Sequence, residues 1–337
     1  LSFFIVWLKE FSKRFDKVFV ITLYEGKHDL PSNVFVYSLG KESGTPRLLR
    51  FFKFYLYLFK LVPKSNGVFA HMSPIFAVAS WPVAAVFRKK VVLWYLHRSV
   101  TFRLKLAEKL CHKIVTSTKE SLNISSKKIV ELGHGIDIEK FKTQRKWDKN
   151  DFSKDLNILS VGRMSKIKNY ETLIKAAKIL KDKGLRFKVE IIGSPIMPDD
   201  FAYFEGLKEA VKGFDLEDSI SFIGFIPYSE VFFDYFKKAD VFVNLAPTGG
   251  IDKVVLEAMA SGSIVLVSNM AFKKYLGVHF EKLVFEHGNP ADLAEKLAIV
   301  SSLEPSEKER ISGFLQSSVS RDHDLVRLAD RISSLYE

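Results

Sequence analysis

Leu156-Asn-Ile-Leu-Ser-Val-Gly-Arg-Met-Ser-Lys-Ile-Lys-Asn169 is the stretch on which the reading of the fold turns. A short apolar run ends at Gly162, which marks a buried strand followed by a turn. Arg163, Lys166 and Lys168 follow at once. From Lys168 to Lys183, Leu173, Ile174, Ala177 and Leu180 recur at helical spacing, and Gly184 closes the helix. The unit then repeats. Strands are predicted at Phe187–Ile192, Ser219–Ile226, Asp240–Leu245, Ser263–Val267 and Leu283–Phe285. Helices are predicted over Phe201–Lys212, Tyr228–Lys238, Asp252–Ser261 and from Asn289 onward. Strands alternating with helices at this spacing make a parallel sheet covered on both faces, a doubly wound α/β domain.

The first half follows the same alternation. Strands are expected at Lys17–Tyr24, Val34–Leu39, Gly67–His71, Lys90–Tyr95, His112–Ser117 and Lys128–Leu132. Helices are expected at Leu1–Arg14, Arg47–Val62, Ile75–Phe87, Phe102–Leu110 and Glu120–Ile124. The sequence opens inside a helix, with no strand or glycine-rich turn ahead of Leu1, so either it is truncated or this second doubly wound domain starts unusually. The polar stretch Lys142–Lys154 reads as the linker. The expected division is residues 1–147, residues 148–320 and a C-terminal helix over 321–337, with Leu325, Leu328, Ile332 and Leu335 on one face.

Composition narrows the function. The chain has 337 residues, 47% hydrophobic and 27% charged, enough for two domains with their own cores. The single cysteine, Cys111, excludes an intramolecular disulfide framework and Cys-rich metal sites, and it fits a reducing, cytoplasmic setting. Residues 1–150 carry 27 basic and 11 acidic side chains, net +16; residues 151–337 carry 24 and 28, net −4. A basic half points to an anionic partner, or to nothing more than a solvated surface. No nucleic-acid-binding motif accompanies the charge, so nucleic acid is set aside as a partner. The apolar run Gly67–Phe87 contains His71, Ser73, Pro74, Ser80 and Pro82, which favours strand, turn and helix over a membrane span. Within residues 47–64, Arg50, Lys53, Tyr57, Lys60 and Lys64 line one helix face, and Leu49, Phe52, Leu56 and Phe59 line another. Such a basic, aromatic amphipathic helix meets an anionic membrane surface or packs its apolar face on the sheet, and it can do both if Phe51, Phe54 and Tyr55 stay exposed.

Doubly wound domains bind ligands outside the carboxyl ends of their strands. There, Arg163 and Lys168 before a helix suit a diphosphate, although cations in such a loop are also commonly just solvated. After the Asp240–Leu245 strand comes Ala246-Pro-Thr-Gly-Gly-Ile-Asp252, then Lys253-Val-Val-Leu-Glu257-Ala-Met-Ala-Ser-Gly262. Gly249 and Gly250 let backbone N–H groups approach an anion. Glu257 can accept from a ribose diol, and Asp252 is either a ligand contact or a helix cap.

Together these motifs resemble the retaining GT-B glycosyltransferases of family 4. The resemblance rests on Gly162-Arg163…Lys168-Asn169, on Leu256-Glu-Ala-Met-Ala260-Ser-Gly262, on Leu132-Gly-His-Gly-Ile-Asp137…Phe141 and on Trp94-Tyr-Leu-His97-Arg98, in order along nearly the whole chain. It implies two Rossmann-like domains facing a central cleft, the first lacking its opening strand. It also implies a nucleotide-sugar donor as substrate, no metal and no further cofactor, and transfer with retention to a glycan or polyprenol-linked acceptor at the cytoplasmic membrane face. Arg163 and Lys168 would hold the donor diphosphate, Glu257 the ribose, Gly249 and Gly250 would offer amides to the phosphate or the sugar, and Gly162 would belong to the donor-binding loop. Gly193, Phe225 and Ile226 would line the nucleobase pocket, and His97 would face the sugar. In isolation, His97 reads as a core histidine. Eight positions before Glu257, where the family has another glutamate, this chain has Gly249; Asp252 would stand in for it. Alternatives are a relative that binds nucleotide-sugar or glycan with little turnover, and a nucleotide-sugar epimerase.

Overall fold

The structure is a computed structural model that describes residues 2–143, 147, 155–247 and 249–337. The expected linker over 142–154 falls mostly outside them. The chain forms two compact units: residues up to Gly135 with His323–Glu337, and Ile136–Asp322.

Unit 1 begins α1 (Ser2–Ser12), β1 (Val18–Thr22), β2 (Val34–Ser38), α2 (Arg47–Leu61), β3 (Gly67–His71) and α3 (Pro74–Val86). It continues β4 (Lys90–Trp94), α4 (Phe102–Leu110), β5 (Lys113–Thr116) and β6 (Ile129–Glu131). β1 and β2 pair parallel, and β3-β4-β5-β6 form a second parallel sheet in that order. The expected helix at Glu120–Ile124 is only a turn of 3-10 helix, Lys119–Ser121. Every residue of β4 after Lys90 is buried, so its two faces read from alternation. Val92 and Trp94 face Trp7 and Phe11 of α1; Val91 and Leu93 face Ala77, Ala84, Leu104 and Ala107 of α3 and α4. In α3, Pro82 is tolerated inside the helix, and Ser80 satisfies its hydroxyl on the Phe76 carbonyl at 2.8 Å. No helix among the described residues is long and apolar enough to cross a membrane.

α2 reverses one expectation. Its packed face is Phe54, Leu58 and Leu61, while Phe52 and Leu56 are 60% and 64% exposed and Leu49 and Phe59 are exposed with them. Under the sheet-packing reading that stripe would be core, yet it is the outward one; of the aromatics expected outward, Phe51 is exposed and Phe54 is core.

Unit 2 begins α5 (Ile138–Phe141), β7 (Leu156–Val161), α6 (Tyr170–Asp182), β8 (Phe187–Ile192), α7 (Pro198–Gly213) and β9 (Ile220–Gly224). Then come α8 (Glu230–Lys238), β10 (Val241–Asn244), α9 (Lys253–Ala260) and β11 (Ile264–Val267). Short α10 (Lys273–Leu276) and α11 (Phe280–Leu283) lead to α12 (Pro290–Ser302) and α13 (Pro305–Asp322). The expected strand at Leu283–Phe285 reduces to one bridge, Val267 to Val284. The sheet is wholly parallel in the order β11-β10-β7-β8-β9. The Asp240 carboxylate ties β10 to β7 by accepting from the Asn157 backbone and side chain at 2.9 and 3.1 Å. α13 caps α9: Ser312 donates to the Gly262 carbonyl at 2.8 Å and Gln316 to the Ala260 carbonyl at 3.2 Å.

α14 (Leu325–Ser333) completes unit 1, with Leu325, Leu328, Ala329 and Ile332 in one cluster with Trp7, Leu8 and Phe11. It covers the turn at Gly135, whose φ is +68° and where a Cβ would lie 2.5 Å from Leu328 Cδ2 and 2.9 Å from Trp7. Gly135→Ala is therefore expected to cost roughly 2–4 kcal/mol in denaturant unfolding, from strain and overpacking together. Gly44→Ala, at φ +73° with nothing within 4 Å of the new Cβ, should cost only about 1 kcal/mol. Equal costs for the two would contradict the packing account.

His71, at the end of β3, lies 4.3 Å from the Phe4 ring and 5.7 Å from Trp7, and burial pulls its pKa from 6.5 down to about 4. The folded chain thus binds fewer protons than the unfolded one between those values. Stability from this residue is full above pH ~6.5 and drains as pH falls toward 4, by about 3 kcal/mol at the limit. His71→Phe should flatten that part of the stability–pH curve between pH 7 and 4.5; unfolding midpoints that fall equally in both proteins would refute it.

Candidate active site

Strand order in unit 2 decides where a ligand fits. From β7 the chain steps outward through β8 and β9, then returns to the other side of β7 with β10 and β11. The carboxyl ends of β7 and β10 flank that reversal, and the connections leaving them diverge to opposite faces of the sheet. The two glycine- and charge-rich loops of the sequence leave the sheet at these two ends.

The loop after β7 is held tightly. Gly162 N–H donates to the Ile192 carbonyl at 2.9 Å, and Met164 N–H to the Ser194 carbonyl at 3.2 Å. Gly193 has φ +145°, and a Cβ there would stand 1.9 Å from the Gly162 oxygen, so only glycine lets the loops after β7 and β8 touch. The buried Tyr170 hydroxyl donates to the same Gly162 oxygen at 3.1 Å, and its ionisation is suppressed, chiefly by burial. α6 begins at Tyr170, later than the expected Lys168, because Lys166–Lys168 form a 3-10 turn and Asn169 takes a left-handed φ of +48°. That turn aims Lys168 back across the loop.

Lys168 Nζ donates to Asp252 Oδ2 at 2.7 Å, and Asn244 Nδ2 donates to the same oxygen at 2.8 Å. Asp252 occupies the N-cap position of α9 but makes no side-chain capping bond. Its carboxylate serves the crevice instead of the helix. Asn244, the last residue of β10, is buried, and its Oδ1 has no hydrogen-bond partner among the described residues. An acceptor left unmade in such a place costs about 1–3 kcal/mol, so a ligand hydroxyl or amide there gains accordingly. Gly249 has φ +120°, a backbone state closed to glutamate without rearrangement, although a Cβ there would meet nothing within 4 Å. Gly250 follows it in the same loop.

The remaining expected residues are placed as follows. Arg163 stands with its Nε 3.5 Å from Asp200, whose pKa is lowered first by the Met197 backbone N–H at 3.0 Å. Glu257 is 2% exposed, lies 3.4 Å from Lys253 and is hydrogen-bonded to Tyr228. Burial raises its pKa, and the Lys253 and Tyr228 contacts oppose that shift. Its known partners are therefore Lys253 and Tyr228, not the Lys168–Asp252 pair. Phe225 is exposed and Ile226 half-buried beyond β9, where Gly193 N–H reaches the Gly224 carbonyl at 2.9 Å. His97 belongs to unit 1: it follows β4, is exposed, and its Nδ1 accepts from Ser99 N–H at 3.0 Å. The core reading of His97 is thus excluded. Sequence reasoning missed Asn244, Asp200 and Tyr228; a polar residue closing an apolar strand was the available signal for the first. Among the described residues no cluster of three His, Cys, Asp or Glu side chains could hold a metal ion.

Comparison with known proteins shows the family and the fold. The family described as glycosyl transferases group 1 matches residues 141–313. An uncharacterized glycosyltransferase of Haemophilus influenzae is 28% identical over 61% of this chain and 58% of its own length. The amylovoran biosynthesis glycosyltransferase AmsK of Erwinia amylovora is 31% identical over 47% of this chain and 36% of its own length. The matched region thus spans only about a third to just over half of these relatives. The Anabaena Alr3699/HepE protein, solved in complex with UDP, superposes over 98% of this chain and 95% of its own with a TM-score of 0.75 at 15% identity. That likeness establishes the fold, the two Rossmann-like domains of GT-B proteins. With the switch-point loops and half of the chain inside the matched region, the chain belongs to the glycosyl transferases group 1 family.

Proposed function

We propose that the protein transfers a sugar from a nucleotide-sugar to a glycan or polyprenol-linked acceptor in cell-envelope polysaccharide synthesis, with retention of configuration, as in family 4. The observation that carries this reading is the Lys168–Asp252–Asn244 group at the strand-order reversal. In the reaction the bond from the anomeric carbon to the diphosphate oxygen breaks. A bond to the acceptor hydroxyl oxygen forms, and the hydroxyl proton is released. Negative charge grows on the departing diphosphate; in this reading Lys168 and Arg163 supply the cations that stabilise it, and the N–H groups of Gly249 and Gly250 donate to it. No metal and no further cofactor enters this reading. Lys168 is neutralised by Asp252 before the donor arrives; the incoming diphosphate takes over the ammonium, and Asp252 and Asn244 Oδ1 then accept from sugar hydroxyls. In this reading Gly193, Phe225 and Ile226 take the base and Glu257 the ribose, and His97 keeps the role at the transferred sugar that the family resemblance implies.

The outward face of α2 supports a membrane-side setting at the cytoplasmic face. Residues 47–64 carry five cations and no carboxylate, around exposed Leu48, Leu49, Phe52, Leu56 and Phe59. A second copy of the same surface would meet like charge, whereas anionic lipid would not.

Three measurements test the reading. A thermal-shift panel of UDP, GDP, ADP and CMP and their sugar conjugates should single out one base. At about a hundred times its Kd a ligand adds roughly 2.7 kcal/mol and raises Tm by a few degrees. Lys168→Ala should lower kcat/KM by about 10²–10³, and Arg163→Ala should abolish the shift. Absence of any shift, or an unchanged Lys168→Ala enzyme, rejects the donor site. Separately, the protein should sediment with vesicles containing phosphatidylglycerol and not with phosphatidylcholine alone. Phe52→Ser/Leu56→Ser should weaken that partition about tenfold or more; a double variant that binds as well as the parent rejects the α2 surface.

A further inference from the structure

At the amino ends of β4, β5 and β6, opposite the end of β4 that leads to His97, Arg88, Lys89, Lys90, His112 and Lys128 converge with Trp81 on one cleft of about 340 Å³. The register explains the convergence. His112 N–H donates to the Val91 carbonyl at 2.8 Å, and Ile114 N–H to the Lys128 carbonyl at 3.0 Å, so the three strand starts lie side by side. Two of the cations are fixed in place. Lys90 Nζ donates to the Leu335 carbonyl at 3.1 Å, and Lys128 Nζ to the Glu108 and Lys109 carbonyls at 2.7 and 2.8 Å, the last turn of α4. None of these cations makes an ion pair among the described residues; the nearby Glu108 carboxylate is occupied by the Ser126 hydroxyl at 2.7 Å.

Arg88 adds a backbone observation. α3 ends with Arg88 N–H on the Ala85 carbonyl at 3.1 Å and Lys89 N–H on the Ala84 carbonyl at 2.8 Å, a Schellman closure. The residue at its left-handed position is normally glycine, yet here it is Arg88, at φ +54°. A strained arginine at the rim of a cluster of uncompensated cations needs a reason beyond ending the helix. The cations also depress protonation of His112, after burial, through Lys90, Lys113 and Lys128.

We propose that this cleft is a binding site for a phosphate group, carried either by a lipid headgroup or by a soluble phosphate ester. Arg88 would bind it bidentately, Lys89, Lys90 and Lys128 would supply charge, and His112 would donate a hydrogen bond. Phosphate converts a concentration of like charges, otherwise relieved only by solvent and salt, into charge-assisted hydrogen bonds. The proposal is independent of the donor site in unit 2.

Calorimetric titration with inorganic pyrophosphate tests it, using the full chain and Lys168→Ala to silence the other phosphate site. Lys168→Ala should retain a binding component, and the His112 ring resonance should shift as it fills. Adding Arg88→Gly, which relieves the backbone strain and should hold or raise Tm, is expected to weaken that component about tenfold or more; Lys89→Gln should act in the same direction. Phosphatidylglycerol vesicles that displace pyrophosphate identify the lipid source, and vesicles that leave it bound identify the soluble one. Binding that disappears with Lys168→Ala, or that survives Arg88→Gly unchanged, overturns the proposal.

Discussion

Lys168 and Asp252 stand 84 positions apart in the chain and 2.7 Å apart in space. The constraint that joins them is the order of five parallel strands. Because β7 is central, with β8 on one side and β10 on the other, the loops that follow β7 and β10 share one crevice. Each loop is then fixed locally. Gly193 lets two turns touch, Tyr170 holds the Gly162 carbonyl, and α13 secures the far end of α9. The crevice is thus preorganised by backbone bonds that no ligand has to form.

The charges in that crevice divide into paired and poised groups. Asp200 holds Arg163 from the start of α7 while itself held by backbone N–H groups. Glu257 is buried against Lys253 and Tyr228, and removing either partner would leave a carboxylate with less compensation for its burial. Asp252 differs, because its helix does not use it as a cap and its contacts all come from the crevice side. The Asn244 Oδ1 beside it, without a partner among the described residues, marks the same spot as unfinished.

Unit 1 shows the opposite economy. Its sheet is sandwiched by α1 and α14 on one face and α3 and α4 on the other, which consumes the alternating apolar positions of β4. α2 packs through Phe54 and Leu58, with Tyr55 and Tyr57 against them, on Leu39, Val62 and Val83, and its Leu61 is also buried. Since α2 has apolar residues on two faces, one stripe had to remain outside, and basic residues accompany it. The amino ends of the strands gather further cations that no carboxylate neutralises among the described residues. Both features give structural substance to the +16 charge of the first 150 residues.

The sequence by itself determined the parallel α/β alternation, the glycine turns at strand ends and the two loops that carry Lys168 and Asp252. Those signals are local: strand apolarity, glycine punctuation and helical spacing all act within a few residues. It did not reveal α13, whose buried stripe of Ile311, Ser312, Leu315, Ser318 and Val319 includes serines that break the apolar period. Nor did it settle which stripe of α2 is core, because periodicity marks an apolar face without saying what lies opposite it. The partner of Asp252, the orphaned acceptor of Asn244 and the convergence of Arg88 with His112 and Lys128 were decided only by tertiary structure. Each depends on which strands become neighbours, and strand order is set by long-range packing that no local pattern encodes.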